Sequence, residues 1–340
     1  MKRIAIAAVA LTALSGTAPA VGAETVFNWS SFVPWVHPIN KALYIPWIEA
    51  VEKATEGRVK FNRLPKPVTA PRGHHEAVRT GQADAAFMVH GYLAKRFAAY
   101  QFASFPFLGD DAVIASVALQ RTHDKFFAGK GYYKGVKLVG LHTHGPGHFY
   151  MRTKHVTTPA DIKGVKIRTG GPVPLAMVEH MGAVSVRQPV TKAYELLAQG
   201  VVDGITFPWE SVTSFRITKL VPFATEVPGG LYSASMYLIL SEKKYDGLSD
   251  ADKKAMAPYM GENYSRHAGS AWNKVNARGR AVALKAGSKI IDAPAPVVAA
   301  VKEVNDRLEK AYIADAAKLG LDGAAVLSYF RAQAKAVAGK

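Results

Sequence analysis

Gly81-Gln82-Ala83-Asp84-Ala85-Ala86-Phe87 and Gly200-Val201-Val202-Asp203-Gly204-Ile205-Thr206 are two copies of one junction. In each, a glycine able to take the left-handed conformation ends a helix, and an aspartate precedes a short apolar strand. One G-x-x-D carries little weight. Two, about 120 residues apart and each inside a β-α-β context, imply two similar α/β lobes.

Working outward from the first copy, the pattern predicts a strand over 25–29, a helix over about 39–54, a turn at Gly57, a strand over 58–64, a helix over about 75–80 and a strand over 85–89. Around the second copy it predicts strands over 137–141 and 165–168, a helix over 175–181 closed by Gly182, and a helix over 193–199 closed by Gly200. Strands alternating with helices argue for parallel βαβ construction. Ser249-Asp250-Ala251-Asp252 then reads as a helix start, and alanine-rich helical sequence runs almost to Lys340. Helices that follow two lobes are placed to strap them together.

The N-terminus reads as an export leader over 1–23. Lys2 and Arg3 precede the apolar run Ile4 to Leu14, and Val21-Gly22-Ala23 supplies small residues before a cut that leaves Glu24 first. The run is too short for a spanning helix, which needs about 20 apolar residues. With no cysteine among 340 residues, disulfides, thiol nucleophiles and cysteine metal sites are excluded. The formal net charge of +17 comes from lysines and arginines spread along the chain, which suits solubility and the attraction of anions rather than a nucleic-acid patch.

In open parallel α/β sheets ligands bind beyond the carboxyl ends of the strands. That rule selects Trp29 and Ser30, the segment Val89-His90-Gly91-Tyr92, the segment Arg168-Thr169-Gly170-Gly171, and Phe207-Pro208-Trp209-Glu210. The set is rich in aromatics and contains one prominent cation, Arg168. Its guanidinium offers parallel donors that match a carboxylate, and the glycines after it let a ligand approach. The histidines at 74, 75, 142, 144 and 148 invite a metal, but they show no HExxH spacing, and we read them as strand-end or loop polar groups without metal or cofactor. A hydrolase would need a nucleophile elbow, and no G-x-S-x-G occurs. The expectation is a protein that is not an enzyme.

The run Thr158-Pro159-Ala160-Asp161-Ile162-Lys163-Gly164-Val165-Lys166-Ile167-Arg168, then Met181-Gly182-Ala183, Tyr194 to Gly204 and Pro208, resembles the solute-binding subunits of tripartite ATP-independent periplasmic (TRAP) transporters. Ala103-Ser104-Phe105-Pro106-Phe107-Leu108 resembles the "LPF" segment of the same family. The resemblance implies a two-lobed periplasmic-binding-protein fold with hinge strands and a long helix crossing both lobes. It implies lobe I at 24–145 plus about 233–275, and lobe II with strapping helices at 146–232 plus about 276–340. It also implies a periplasmic monomer that closes on a small organic acid and docks on membrane subunits driven by an ion gradient.

Through the resemblance Arg168 becomes the carboxylate anchor, and Arg72 and Tyr92 come from loops that reach the ligand. His148 falls where the sialic-acid-binding branch has a second arginine, and Phe207 where the family has an asparagine. A neutral histidine among aromatics favours a monocarboxylate with an apolar or aromatic body, or a 2-oxo or hydroxy acid. A uronate or aldonate ligand, or service to another transporter class or a sensor, stands as the alternative. The full candidate set is Arg168, His148, Trp29, Ser30, Arg72, His90, Tyr92, Gly170, Phe207, Trp209 and Glu210.

Overall fold

Two mixed β-sheets with helices on their faces form the molecule, seen in a computed structural model that describes residues 24–339. The leader expected over 1–23 lies outside the described residues. The first stretch contains β1 (Thr25–Trp29), α1 (Ile45–Ala54), β2 (Val59–Arg63), α2 (His74–Arg79), β3 (Ala85–Val89), α3 (Ala112–Phe126) and β4 (Val136–Thr143). The second contains β5 (His148–Met151), β6 (Lys166–Thr169), α4 (Pro172–His180), β7 (Val184–Arg187), α5 (Ala193–Ala198), β8 (Gly204–Phe207), α6 (Trp209–Ser214) and β9 (Phe223–Glu226). The chain then returns through β10 (Ser235–Ser241), α7 (Glu242–Asp246), α8 (Asp250–Met256) and α9 (Gly261–Lys285), and ends with β11 (Lys289–Asp292), α10 (Ala295–Lys318) and α11 (Gly323–Ala338).

The first sheet has the order β2-β1-β3-β10-β4 and the second β11-β9-β5-β8-β6-β7. Both G-x-x-D junctions behave as their chemistry requires. Gly81 and Gly200 take φ of +79° and +68°, and the Asp84 carboxylate accepts from the Asn28 amide at 2.9 Å. The sheets are parallel at the junctions, but each contains one reversed strand. β10 runs antiparallel to β3 and β4, and β5 runs antiparallel to β8 and β9. The pair arises where the chain crosses between lobes, from β4 to β5 and from β9 to β10. All four residues of β5 and all seven of β10 are buried, so neither shows the alternation that marks a half-exposed strand.

Two helices also depart from expectation. The helix predicted from residue 39 opens as a wide π-turn over Asn40–Tyr44, where the Ile45 amide donates to the Asn40 carbonyl five residues back. Pro46, in the first turn of α1, has no amide to donate, and the wide turn accommodates it. The C-terminal region is not continuously helical either. Lys289-Ile290-Ile291-Asp292, between Gly287 and Pro294, forms β11 beside β9 in parallel register. Ser249 does cap α8, its hydroxyl accepting from the Asp252 amide at 3.1 Å.

α9 touches both halves. It packs on α3 and β4 beside the first sheet and on α6 beside the second. Two glycines allow this: a Cβ at Gly269 would fall 2.5 Å from the Val113 Cα, and one at Gly279 would fall 2.6 Å from the Trp209 carbonyl oxygen. α10 packs on α4, and α11 reaches back onto α3. No helix among the described residues is long and apolar enough to cross a membrane.

Candidate functional site

β6 carries Ile167, Arg168 and Thr169 into the second sheet, where Arg168 lies opposite Val186 of β7 and Ile205 of β8. The strand ends at Thr169, and α4 starts three residues later. Arg168 is 2% exposed, yet its neighbours are not acids. Its Nε and Nη2 donate to the Gln188 carbonyl at 2.9 and 2.6 Å, and its guanidinium lies 4.8 Å from the centre of the Phe207 ring. Burial lowers its pKa, and the nearby Tyr92 and Tyr232 hydroxyls oppose that shift. A guanidinium remains charged at any working pH. Among the described residues no acidic side chain pairs with it.

Around Arg168 the two lobes enclose a cavity. The first lobe supplies Phe32, Phe87 and Tyr92, the second Phe207 and Phe215, and the crossing segments Tyr232 and Trp272. Gly170 keeps the guanidinium accessible, since a Cβ there would stand 3.4 Å from Nη2 and 3.5 Å from Nη1. Two of the five N–H donors face Gln188. Of the remaining three, two, one on each Nη, form the end-on fork that binds both oxygens of a carboxylate.

The start of α4 also borders the cavity, with Gly171 as its N-cap. A helix N-terminus ordinarily offers several free amides to an anion. Here Pro172 and Pro174 have none, and the Leu175 amide donates to the Gly171 carbonyl at 3.2 Å. Of these first four amides only that of Val173 is left to an anion, so the main anchor is Arg168.

Glu210 forms a second polar element. It is 1% exposed, and accepts from the Ser211 hydroxyl at 2.9 Å and the Ser214 hydroxyl at 2.5 Å. Burial raises its pKa to about 7 against the pull of those two hydroxyls. His37 of the first lobe approaches it, with Nδ1 3.6 Å from Oε1. Further bonds cross the cleft: Arg187 donates to the Gly91 carbonyl at 2.8 Å, and the Val190 amide donates to the Tyr92 hydroxyl at 3.0 Å. These bonds hold the lobes together.

Of the expected site residues, the structure brings Arg168, Tyr92, Gly170, Phe207 and Glu210 to the cavity, and leaves the other six off its wall. Trp29 is fully buried in a first-lobe aromatic cluster with Trp35, Tyr44, Trp47 and Phe61. Its strand ends at the cleft, but its side chain faces the core. Ser30 is engaged by His74 Nε2 and the Val68 amide, both at 3.0 Å. Arg72 is exposed on a short 3-10 turn. His90 bonds Ser235 and Tyr133 at 3.0 and 2.6 Å and borders a neighbouring cavity. His148 accepts from the Val227 amide at 3.1 Å, so backbone rather than guest occupies that nitrogen. Trp209 donates to Glu226 at 2.6 Å and packs on Tyr150. Among the described residues no cluster of three or more acidic or histidine side chains is arranged to hold a metal.

Sequence reasoning stopped one loop short on the first strand. The chain continues from Ser30 through Phe32 and Val33 to His37, and these three residues, not the strand end, line the cavity. Trp272 was hidden differently, since it lies on α9, far in sequence from any strand.

The family pattern of the bacterial extracellular solute-binding proteins, family 7, matches residues 29–315. A TRAP periplasmic solute-binding protein from Bordetella bronchiseptica, crystallised with bound (R)-mandelate and (S)-mandelate, is 36% identical. The match covers 92% of this chain and 99% of that one, with a TM-score of 0.89. A TRAP solute-binding protein from an unidentified marine microbe, specific for aromatic acid ligands and solved with 3-hydroxybenzoate, is 30% identical. It covers 92% of this chain and 98% of that one, with a TM-score of 0.86. The outer membrane transporter protein TsaT of Comamonas testosteroni is 29% identical, over 88% of this chain and 89% of its own length. With two lobes closed on a buried arginine and a family pattern that spans them, the chain belongs to the family-7 extracellular solute-binding proteins, the binding subunits of TRAP transporters.

Proposed function

We propose that this protein captures a monocarboxylate with an aromatic body and presents it to the membrane subunits of a TRAP transporter. The observation that carries the reading is a buried arginine without an acidic partner among the described residues, opening on a cavity walled by seven aromatic side chains. A buried charge is costly unless something pairs it, and a guest carboxylate supplies the pair while the phenyl walls suit a ring. The mandelate and 3-hydroxybenzoate bound by two relatives support the same class.

Binding is a population shift: the guest bridges the lobes, and the Arg187–Gly91 and Tyr92–Val190 bonds stabilise the closed form. The membrane subunits then read closure. The protein acts as an exported periplasmic monomer, its leader cut near Ala23, and converts nothing. Isothermal titration of the purified protein with benzoate, mandelate, 3-hydroxybenzoate and glucuronate tests the reading, backed by native mass spectrometry of any acid that copurifies. At least one aromatic acid should bind tightly. Glucuronate binding more tightly than all three aromatic acids would overturn it.

A further inference from the structure

His37 belongs to none of the motifs that mark the family resemblance, yet it stands in the cavity with a half-used ring. Its Nδ1 accepts from the Ile39 amide at 3.3 Å. In a neutral imidazole a nitrogen that accepts has no proton, so the proton sits on Nε2 and makes it a donor. Burial keeps the ring neutral, its pKa lowered to about 4. Nε2 is buried, and among the described residues it has no hydrogen-bond partner. The indole Nε1 of Trp272, a donor only, is buried and without a partner in the same way, and Trp272 lines the same cavity. Buried donors are paired in nearly all folded proteins, so two orphans on residues that line one cavity point to acceptors carried by its guest.

The order of groups along the wall says where the acceptor belongs. Arg168 contacts the Phe207 ring, Phe207 packs on Phe215 with centres 6.1 Å apart, and Phe215 packs on His37 with centres 5.2 Å apart. Two phenyl rings therefore link the guanidinium to the imidazole along the wall. A guest whose carboxylate is held by Arg168 and whose ring lies along the two phenylalanines carries a second substituent toward His37.

We infer that His37 is a specificity-determining residue whose Nε2–H donates to a second oxygen of the guest, a hydroxyl or carbonyl, so that the preferred ligands are aromatic carboxylates bearing that extra oxygen. The inference rests on the proposed aromatic-carboxylate function and narrows it. Glu210 Oε1 lies 3.6 Å from the Nδ1 edge of the ring, and the bare acid leaves Nε2 buried without an acceptor.

The test uses matched ligands that differ by one oxygen: benzoate against 3- and 4-hydroxybenzoate, and phenylacetate against mandelate. Titration calorimetry on the full mature chain should show at least one oxygenated acid binding about 10- to 100-fold more tightly than its parent, the range set by leaving a buried donor unpaired. His37→Leu should erase that preference, lowering the oxygenated acid far more than its parent. His37→Gln, which retains a side-chain N–H, should restore part of it, and Trp272→Phe should lower the oxygenated acid more than the parent. Thermal melts verify that each variant folds. Wild-type protein without any preference for the added oxygen, or a His37→Leu variant that weakens both members of a pair equally, would overturn the assignment. Those results leave the aromatic-carboxylate reading standing. If none of these acids binds wild-type protein, both fail together.

Discussion

Replacing Arg168 by methionine separates the contribution of the arginine to binding from its contribution to folding. The three N–H groups not committed to Gln188 give a carboxylate two parallel charge-assisted bonds, each worth about 1.5–3 kcal/mol. Their loss predicts an affinity roughly 10²- to 10⁴-fold weaker. The first turn of α4, with Pro172 and Pro174, has little with which to compensate. Stability should respond differently. Methionine removes the desolvation cost of a buried cation, several kcal/mol, but leaves the Gln188 carbonyl without its two donors, a cost of about 1–3 kcal/mol. The two terms oppose each other, so ligand-free protein should melt close to wild type. Ligand at 100 times its Kd stabilises wild type by about 2.7 kcal/mol. With an unfolding entropy of about 2.1 cal/mol/K per residue, that raises Tm by about 4 °C. Scanning fluorimetry with an aromatic acid at that fixed concentration should show the rise in wild type and none in Arg168→Met. A variant that keeps the shift, or loses less than about tenfold in affinity, would show that the anchor lies elsewhere.

The other predictions concern acidity, closure and access. Burial lowers the pKa of His37, His75, His123, His144 and His148 to about 4, and of His142 to about 3. An unfolded histidine titrates near 6.5, so below that pH the unfolded chain binds more protons and stability falls with pH, by about 2 kcal/mol per histidine between pH 7 and pH 5. Glu210, raised to about 7, has the opposite sign and gains stability as pH falls toward about 4.5, but one acid does not offset six histidines. Circular dichroism should show cooperative unfolding between about pH 6 and 4, and a fold intact at about pH 3.5 would contradict this. Arg187→Ala removes a bond across the cleft and should weaken ligand binding about tenfold through faster dissociation, measured by stopped-flow fluorescence. Gly170→Leu puts a side chain against Nη1 and Nη2 and should abolish binding at about 100 times the wild-type Kd while leaving the melting profile cooperative.

Much of the architecture was legible because punctuation residues fix it locally. Gly81, Gly200 and the aspartates that follow each specify a helix end and a strand start without reference to distant parts of the chain. The reversed strands β5 and β10 were not legible, because a fully buried strand has no polar alternation and its direction is set by which lobe the chain is entering. The site divided along the same line. Arg168 and Gly170 follow from a strand end with a cation and a glycine. Trp29 shows the limit of that reasoning: a one-residue change along a strand moves a side chain to the other face, and it points into the core. His37 and Trp272 reach the cavity through a loop and a cross-lobe helix, so only the folded chain brings them together.

Pro172 and Pro174 have a consequence for the mineral salts that surround an exported protein. Phosphate and sulfate have oxygens on every side, and helix starts are a common place to satisfy several of them at once. The two imino acids withhold two of those hydrogens here, so a tetrahedral oxyanion at the guanidinium would find few further donors beside it among the phenyl rings. A flat carboxylate needs only the fork. Discrimination against abundant inorganic ions is thus built from donors that the chain leaves out.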